Sequence, residues 1–397
     1  MRIGIDAREL CGHRTGVGRY LGGLLREWST DDRRHEFVLY AHQPLGVALD
    51  ARRFPTRVVA GRGGTRWEQQ QLPAAVARDH LDVFFSPGYT APLFSRIPFV
   101  VAIHDVSFAA HPEWFTAREG LRRRLLTRRA AAAARAVITL SEFSKRELMD
   151  LLHVPERKIH IIRPGISAPS PASSLAQAQA SIGEARRPST LIGTAVSLSN
   201  GQIGGAVAAN PQPPAHQPLA PNVLYVGSIF NRRHVPDLIR AFGQIARRHP
   251  TVQLDLVGED RTHPREDIVA AIARERTDDR VRWHQYVSEL ELGALYGSAR
   301  AFAFLSEYEG LGLTPLEALA CGVPSVLLDT PVARESCAGA ALYVPKDSVA
   351  ITAAALEQLL FDETVRDGLL NEAPAVLARY DWSRAARETL AVLEGAL

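Results

Sequence analysis

Ala301-Phe302-Ala303-Phe304-Leu305-Ser306-Glu307-Tyr308-Glu309-Gly310-Leu311-Gly312-Leu313-Thr314-Pro315-Leu316-Glu317-Ala318-Leu319-Ala320 is the stretch on which the fold turns. Ala301–Leu305 is a short apolar run ending in polar residues and glycine, the pattern of a strand buried on both faces. Pro315–Ala320 then reads as a helix. Thr314-Pro315-Leu316-Glu317 has the spacing of a capping box, with proline at the first helical position. A strand feeding a helix through a glycine-opened loop is the unit of a parallel sheet, and ligands bind beyond the carboxyl ends of such strands. The loop and the helix after it carry two carboxylates to weigh there, Glu309 and Glu317. Glu317 has a structural explanation, since it can bond back to the Thr314 amide. Glu309 has no comparable structural role and is the better functional candidate.

Two further strand ends have the same form. Thr15-Gly16-Val17-Gly18-Arg19-Tyr20 lies between the strand Arg2–Asp6 and an amphipathic helix Gly18–Ser29. Gly16 and Gly18 allow backbone to approach a phosphate, and the helix N-terminus offers free N–H groups and a partial positive charge. It is not the dinucleotide fingerprint, which needs glycine where Leu21 stands. Val226-Gly227-Ser228-Ile229-Phe230-Asn231-Arg232-Arg233-His234 opens the second half, and its two arginines can clamp a diphosphate or cap a solvated loop.

The surrounding sequence repeats this alternation. Strands are predicted at Arg2–Asp6, Phe37–Ala41, Arg57–Ala60, Val83–Ser86, Phe99–His104, Ala136–Leu140 and Ile159–Ile162. In the second half they fall at Val223–Val226, Gln253–Val257, Val281–His284, Ala301–Leu305, Ser325–Leu328 and Ala341–Val344. Helical patterns between them include Arg66–Asp79, Ser144–Leu152, Val235–Arg248, Ser288–Ser298 and Val349–Asp362. The expected class is α/β: two Rossmann-like domains with parallel sheets, facing each other across a cleft. The N-terminal domain is expected over residues 1–167 and the C-terminal domain over 222–379, with a final helix over 380–397 packing back on the first domain. Residues 168–221, rich in Ala, Ser, Pro, Gln and Gly, read as a low-complexity linker; Leu191–Val196 is the one mildly apolar stretch within it.

Composition bounds the partners. With 397 residues, 46% apolar and 22% charged, the chain can build two globular cores. Forty-six basic against 43 acidic residues leave a net charge of +3, too little to point to nucleic acid. The three cysteines, Cys11, Cys321 and Cys337, have no metal-ligand or disulfide spacing. A charge at Asp6 and the lack of a long apolar run predict neither a secretory leader nor a spanning helix, hence a cytoplasmic location. Arg118–Arg135 holds seven arginines with Leu121, Leu125 and Leu126 at helical spacing. The preferred reading is a solvated helix held to the sheet by its leucines and alanines; the alternative is peripheral contact with an anionic membrane. Glu259-Asp260 is the nearest acidic pair to a strand end, and a solvated loop is preferred to a magnesium site.

Taken together, the motifs resemble glycosyltransferase family 4, retaining enzymes of the GT-B fold. Glu309 and Glu317 match the family's Glu-x7-Glu, followed by Ala320-Cys321-Gly322-Val323-Pro324. Further matches are Ile5-Asp6-Ala7-Arg8, Trp67-Glu68-Gln69, Ser86-Pro87, His104-Asp105, Leu140–Arg146, Pro164-Gly165 and Tyr380-Asp381-Trp382-Ser383. The resemblance implies that Glu317 binds the nucleotide ribose and Glu309 sits near the transferred sugar. Arg232 and Arg233 would grip the diphosphate beside Gly227 and Ser228, and Gly16 and Gly18 would approach it from the other domain. Gly310, Leu311, Gly312 and Leu313 would line the donor, and His104 would bond its sugar. Departures are Arg233 where lysine is usual, Asn231 and His234 flanking the pair, and Gln285 for a common glycine.

No protein nucleophile, metal or cofactor is implied; the donor is a nucleotide diphosphate sugar and the acceptor a glycan or a lipid-linked one. The segment from His104 through His111-Pro112-Glu113 is similar to that of mannosyltransferases of surface polysaccharides, which makes GDP-mannose the first guess for the donor. Two alternatives remain on the same scaffold: a nucleotide-sugar epimerase, and a catalytically silent nucleotide-binding partner.

Overall fold

A computed structural model describes residues 1–12, 16–30, 35–168 and 221–397. Thr15, residues 169–220 of the predicted linker, and Leu191–Val196 within it lie outside the described residues.

Runs such as Val-Phe-Phe-Ser and Ala-Phe-Ala-Phe hide both faces from water and leave their backbone to pair within a sheet. The first sheet is made by β1 (Arg2–Asp6), β2 (Glu36–Ala41), β3 (Thr56–Val58), β4 (Val83–Ser86), β5 (Phe99–Ala102), β6 (Ala136–Thr139) and β7 (Ile159–Ile161). All its pairs are parallel, in the order β3-β2-β1-β4-β5-β6-β7. The second sheet contains β8 (Asn222–Val226), β9 (Gln253–Val257), β10 (Val281–His284), β11 (Ala301–Phe304), β12 (Ser325–Leu328) and β13 (Ala341–Val344). It is also parallel, ordered β10-β9-β8-β11-β12-β13. Each order reverses direction once, between β1 and β4 and between β8 and β11. Those reversals open the crevices that receive ligands in such sheets.

The helices are held by burial at helical spacing. In Val235–Arg248 the residues Val235, Leu238, Ile239, Phe242, Ile245 and Ala246 are buried, one stripe at i, i+3, i+4 and i+7. Each large apolar side chain so buried contributes about 1.5–3 kcal/mol. Arg247 and Arg248 occupy the last turn, where cations suit the helix dipole. The last helix, Trp382–Glu394, lies against Gly16–Thr30: Trp28 Nε1 donates to the Ala386 carbonyl at 3.2 Å and Ser383 Oγ to Glu27 at 2.6 Å.

Three local expectations differ from the structure. The predicted helix Arg66–Asp79 is a π-helical turn, Trp67–Gln71, followed by a short helix, Leu72–Val76. The capping box does not form. The helix begins at Leu313 with Gly312 as its N-cap, and no side chain caps it. Gly312 has φ +84°, a conformation that a threonine would resist, so the helix starts earlier than the Thr-Pro pair suggests. Lastly, Ala117–Ala133 is a helix, but Leu121 and Leu125 do not hold it down. Gly120, Thr127, Ala130 and Ala131 form the buried edge, while Leu121 and Leu125 are 61% and 45% exposed. Small residues let this helix lie close to its neighbours and turn Leu121 and Leu125 outward, with Leu126 half-buried.

Candidate active site

The carboxyl ends of the two sheets meet at Gly310. Its carbonyl accepts from Ser141 Oγ at 2.6 Å and Ser144 Oγ at 3.0 Å, both on the N-terminal half. A Cβ on Gly310 would lie 2.0 Å from the His104 carbonyl oxygen, so only glycine lets the two backbones approach this closely. Further bonds cross the same gap. Tyr308 Oη donates to Glu147 at 3.2 Å, and the Val106 N–H donates to Tyr308 Oη at 3.3 Å. Glu335 accepts from the Glu142 and Phe143 amides at 2.8 and 2.9 Å, capping the helix Glu142–Leu152 from the other half of the chain.

His104 follows β5 and is buried between rings, edge-on to Tyr20 at 4.8 Å and tilted to Tyr89 at 5.9 Å. Burial lowers its pKa, which favours the neutral imidazole. Nε2 lies 2.9 Å from the Pro87 carbonyl, which can only accept, so the proton resides on Nε2. Nδ1 is then an acceptor, and it has no hydrogen-bond partner among the described residues.

The two arginines are not equivalent. Arg233 Nε donates to Glu309 Oε1 at 2.9 Å, and Nη1 donates to the Ser228 carbonyl at 2.9 Å. Burial alone would lower its pKa; the Glu309 carboxylate beside it overrides this and raises it. Glu309 therefore does have a structural role, and Ser306 Oγ also donates to it, at 2.8 Å. The expectation that it stands free is corrected by a pairing that sequence spacing does not reveal. Arg232 makes no ion pair or side-chain hydrogen bond among the described residues. Its guanidinium lies 4.3 Å from the Phe230 ring centroid and 5.6 Å from that of Trp114, and its Nε is buried without a partner. Burial lowers its pKa. Of the two arginines it is the one without an ion pair among the described residues.

Glu317 is buried in the helix Leu313–Ala320. Its carboxylate accepts from Arg19 Nη1 at 3.0 Å, across 298 residues of chain, and from Tyr296 Oη at 3.4 Å. Burial raises its pKa against the pull of Arg19. Gly16 and Gly18 belong to the first turn of the helix Gly16–Thr30 rather than to a loop before it, Gly16 exposed and Gly18 buried. Gly227 and Ser228 follow β8. Leu311 is buried and Leu313 partly so, which leaves backbone as what Gly310–Leu313 can offer a ligand.

Other polar groups join the site without having been singled out as functional. Arg8 bridges Asp6 at 2.7 Å and Glu68 at 2.6 Å, and Thr90 Oγ1 donates to Glu68 at 2.6 Å. Asp105 accepts from Tyr89 Oη at 2.6 Å and the Ser107 amide at 3.0 Å. Glu307 pairs with His234 and, at 2.7 Å, with Lys346. Asp105 adjoins His104 in the sequence, which was the only signal available for it.

Comparison with known proteins agrees with this geometry. The family model described as Glycosyltransferase Family 4 matches residues 14–168, and that described as Glycosyl transferases group 1 matches residues 209–376. O-antigen chain mannosyltransferase B of Escherichia coli is 24% identical over 79% of this chain and 74% of that protein. GDP-mannose:cellobiosyl-diphosphopolyprenol alpha-mannosyltransferase of Xanthomonas oryzae pv. oryzae is 27% identical over 40% of this chain and 43% of that protein, less than half of either. Among solved structures, a sucrose-phosphate synthase from Thermosynechococcus elongatus superposes with a TM-score of 0.72 over 99% of this chain and 98% of that one, at 18% identity, a likeness of fold. Two parallel-sheet halves, one matched by the Glycosyltransferase Family 4 model and the other by the Glycosyl transferases group 1 model, mark this chain as a glycosyltransferase of the GT-B fold.

Proposed function

We propose that the enzyme transfers mannose from GDP-mannose to a glycan or lipid-linked acceptor, retaining the configuration of the transferred sugar and using no metal. The observation that carries this reading is the meeting of His104 with the Glu309–Gly310 turn, beside Arg232, which among the described residues has ring contacts but no ion pair. The names of the relatives support mannose and GDP as the sugar and base. In this scheme the acceptor hydroxyl oxygen bonds to the anomeric carbon as the bond from that carbon to the β-phosphate oxygen breaks. The hydroxyl proton passes to a phosphate oxygen of the departing nucleoside diphosphate. Charge grows on the β-phosphate, where Arg232, Arg233 and the uncapped N-terminus at Gly312–Leu313 stabilise it. Glu317 exchanges Arg19 for the ribose hydroxyls, and His104 Nδ1 accepts from a hydroxyl of the donor sugar.

Incubation with a panel of GDP-, UDP- and TDP-sugars tests this directly. Slow release of GDP from GDP-mannose is expected, unchanged by EDTA. Interconversion of the sugar would identify an epimerase, and absence of turnover a silent binder. Loss of activity on chelation with rescue by Mn²⁺ or Mg²⁺ would overturn the metal-free reading. The group to examine then is His234, Asp237 and Asp347, whose ligand atoms lie within 4.8 Å of one another.

A peripheral membrane contact is proposed for Ala117–Ala133. Its outward leucines stand among the exposed Arg118, Arg122, Arg128 and Arg129, an apolar and cationic face together. Among the described residues no helix is long and apolar enough to cross a membrane. Each arginine near an anionic surface contributes about 1 kcal/mol. Co-sedimentation with anionic vesicles, weakened by salt, is the expected result; no binding to vesicles with or without anionic lipid would end the proposal.

A further inference from the structure

Glu317 already has a partner within the protein. Arg19 Nη1 lies 3.0 and 3.3 Å from its two oxygens, so one nitrogen spans the edge of the carboxylate that a ribose diol needs. The partners are unequally buried: the Arg19 side chain is 38% exposed and that of Glu317 11%. The arginine can swing toward solvent at little cost, whereas the carboxylate must find a replacement at once. Tyr296 Oη, at 3.4 Å, is too long a bond to serve alone.

Arg19 stands in the first turn of the helix Gly16–Thr30, a turn without an acidic residue, and reaches from there into the C-terminal half. Glu317 exerts the largest pull on it and Glu289 a weaker one. A neutral nucleoside that displaced it would break a charge-assisted bond for hydroxyl bonds, which are roughly half as strong. A nucleoside diphosphate carries its α-phosphate on the same ribose. The displaced guanidinium then exchanges one anion for another, and its fork suits phosphate as well as carboxylate.

We propose that Arg19 is a specificity-determining residue, which yields Glu317 only to a ligand whose phosphate takes over its guanidinium, so that charged nucleotides enter and neutral nucleosides do not. The inference rests on the reading of Glu317 as the ribose carboxylate, and its test does not depend on turnover. Guanosine, GDP, uridine and UDP are titrated calorimetrically into the full chain. Burial raises the Glu317 pKa and Arg19 opposes this, so mildly alkaline buffer keeps the carboxylate ionised when the arginine is removed. In Arg19→Ala the nucleoside is expected to bind about fivefold tighter and its diphosphate about tenfold weaker. Arg19→Gln, which keeps a donor for Glu317 without the charge, should shift the preference the same way, and Arg19→Lys should largely restore it; melts establish that each variant is folded. Unchanged nucleoside affinity in both neutral variants would overturn the proposal. So would unchanged diphosphate affinity, the result if the displaced guanidinium turned to Glu289 instead. Wild-type binding of all ligands by Glu317→Gln would sink the ribose reading, and with it the inference. Failure of both diphosphates to bind the wild type would overturn the donor reading itself.

Discussion

Arg232→Ala is expected to lower kcat/KM by about 10²–10³-fold, or about 2.7–4 kcal/mol, the cost of losing one donor to a charge that develops in the transition state. The melting temperature should barely move, because among the described residues this guanidinium has no carboxylate partner and only ring contacts to lose. Arg233→Ala is expected to cost as much activity and also stability. It strands Glu309, whose Oε1 it holds at 2.8 Å, and the Ser228 carbonyl. Breaking one partner of a half-buried pair of this kind costs up to about 3–5 kcal/mol. The double variant Arg233→Ala, Glu309→Gln should recover stability without recovering turnover. Steady-state kinetics and thermal melts on the three proteins separate the two roles. Near-wild-type rates from both single variants would remove the arginines from the mechanism.

His104→Ala should abolish measurable transfer, with a loss of at least about 10²-fold, while GDP still binds. The substitution takes away the acceptor at Nδ1 and leaves the Pro87 carbonyl unpaired, a cost of about 1–3 kcal/mol in stability that a melt will register. Nucleotide affinity measured by titration distinguishes this from collapse of the cleft. The pH profile supplies a second check. Burial holds the His104 pKa below the usual imidazole value, so the active neutral ring should persist into mild acid. Activity should fall only as the pH drops through that lowered pKa, because protonated Nδ1 cannot accept. Full turnover by His104→Ala would rule the assignment out.

Much of the fold is legible in the chain because its causes are local. Strands β4, β9 and β12 run over the residues that their apolar runs mark, since a strand covered on both faces has little other composition open to it. The helix Val235–Arg248 shows its own buried stripe and its own basic last turn. Errors arise where spacing is compatible with two outcomes. Thr314 and Glu317 sit at capping-box positions, yet Gly312 adopts the left-handed conformation first and starts the helix two residues earlier. Leu121 and Leu125 look like the inner face of a helix whose inner face is in fact glycine, threonine and alanine.

By itself the sequence determined the two parallel-sheet halves, their glycine-opened strand ends, and the charged and polar residue types carried there. It could do so because β periodicity, helix starts and turns depend on neighbours a few residues away. Only the tertiary structure decided which charges are spent inside the protein and which are left for a ligand. Arg233 is committed to Glu309 and Arg19 to Glu317, while Arg232 is committed to neither. Those pairings join groups 76 and 298 residues apart. They are set by which side chain reaches a buried carboxylate when the halves meet, a matter of distance and desolvation rather than of spacing along the chain.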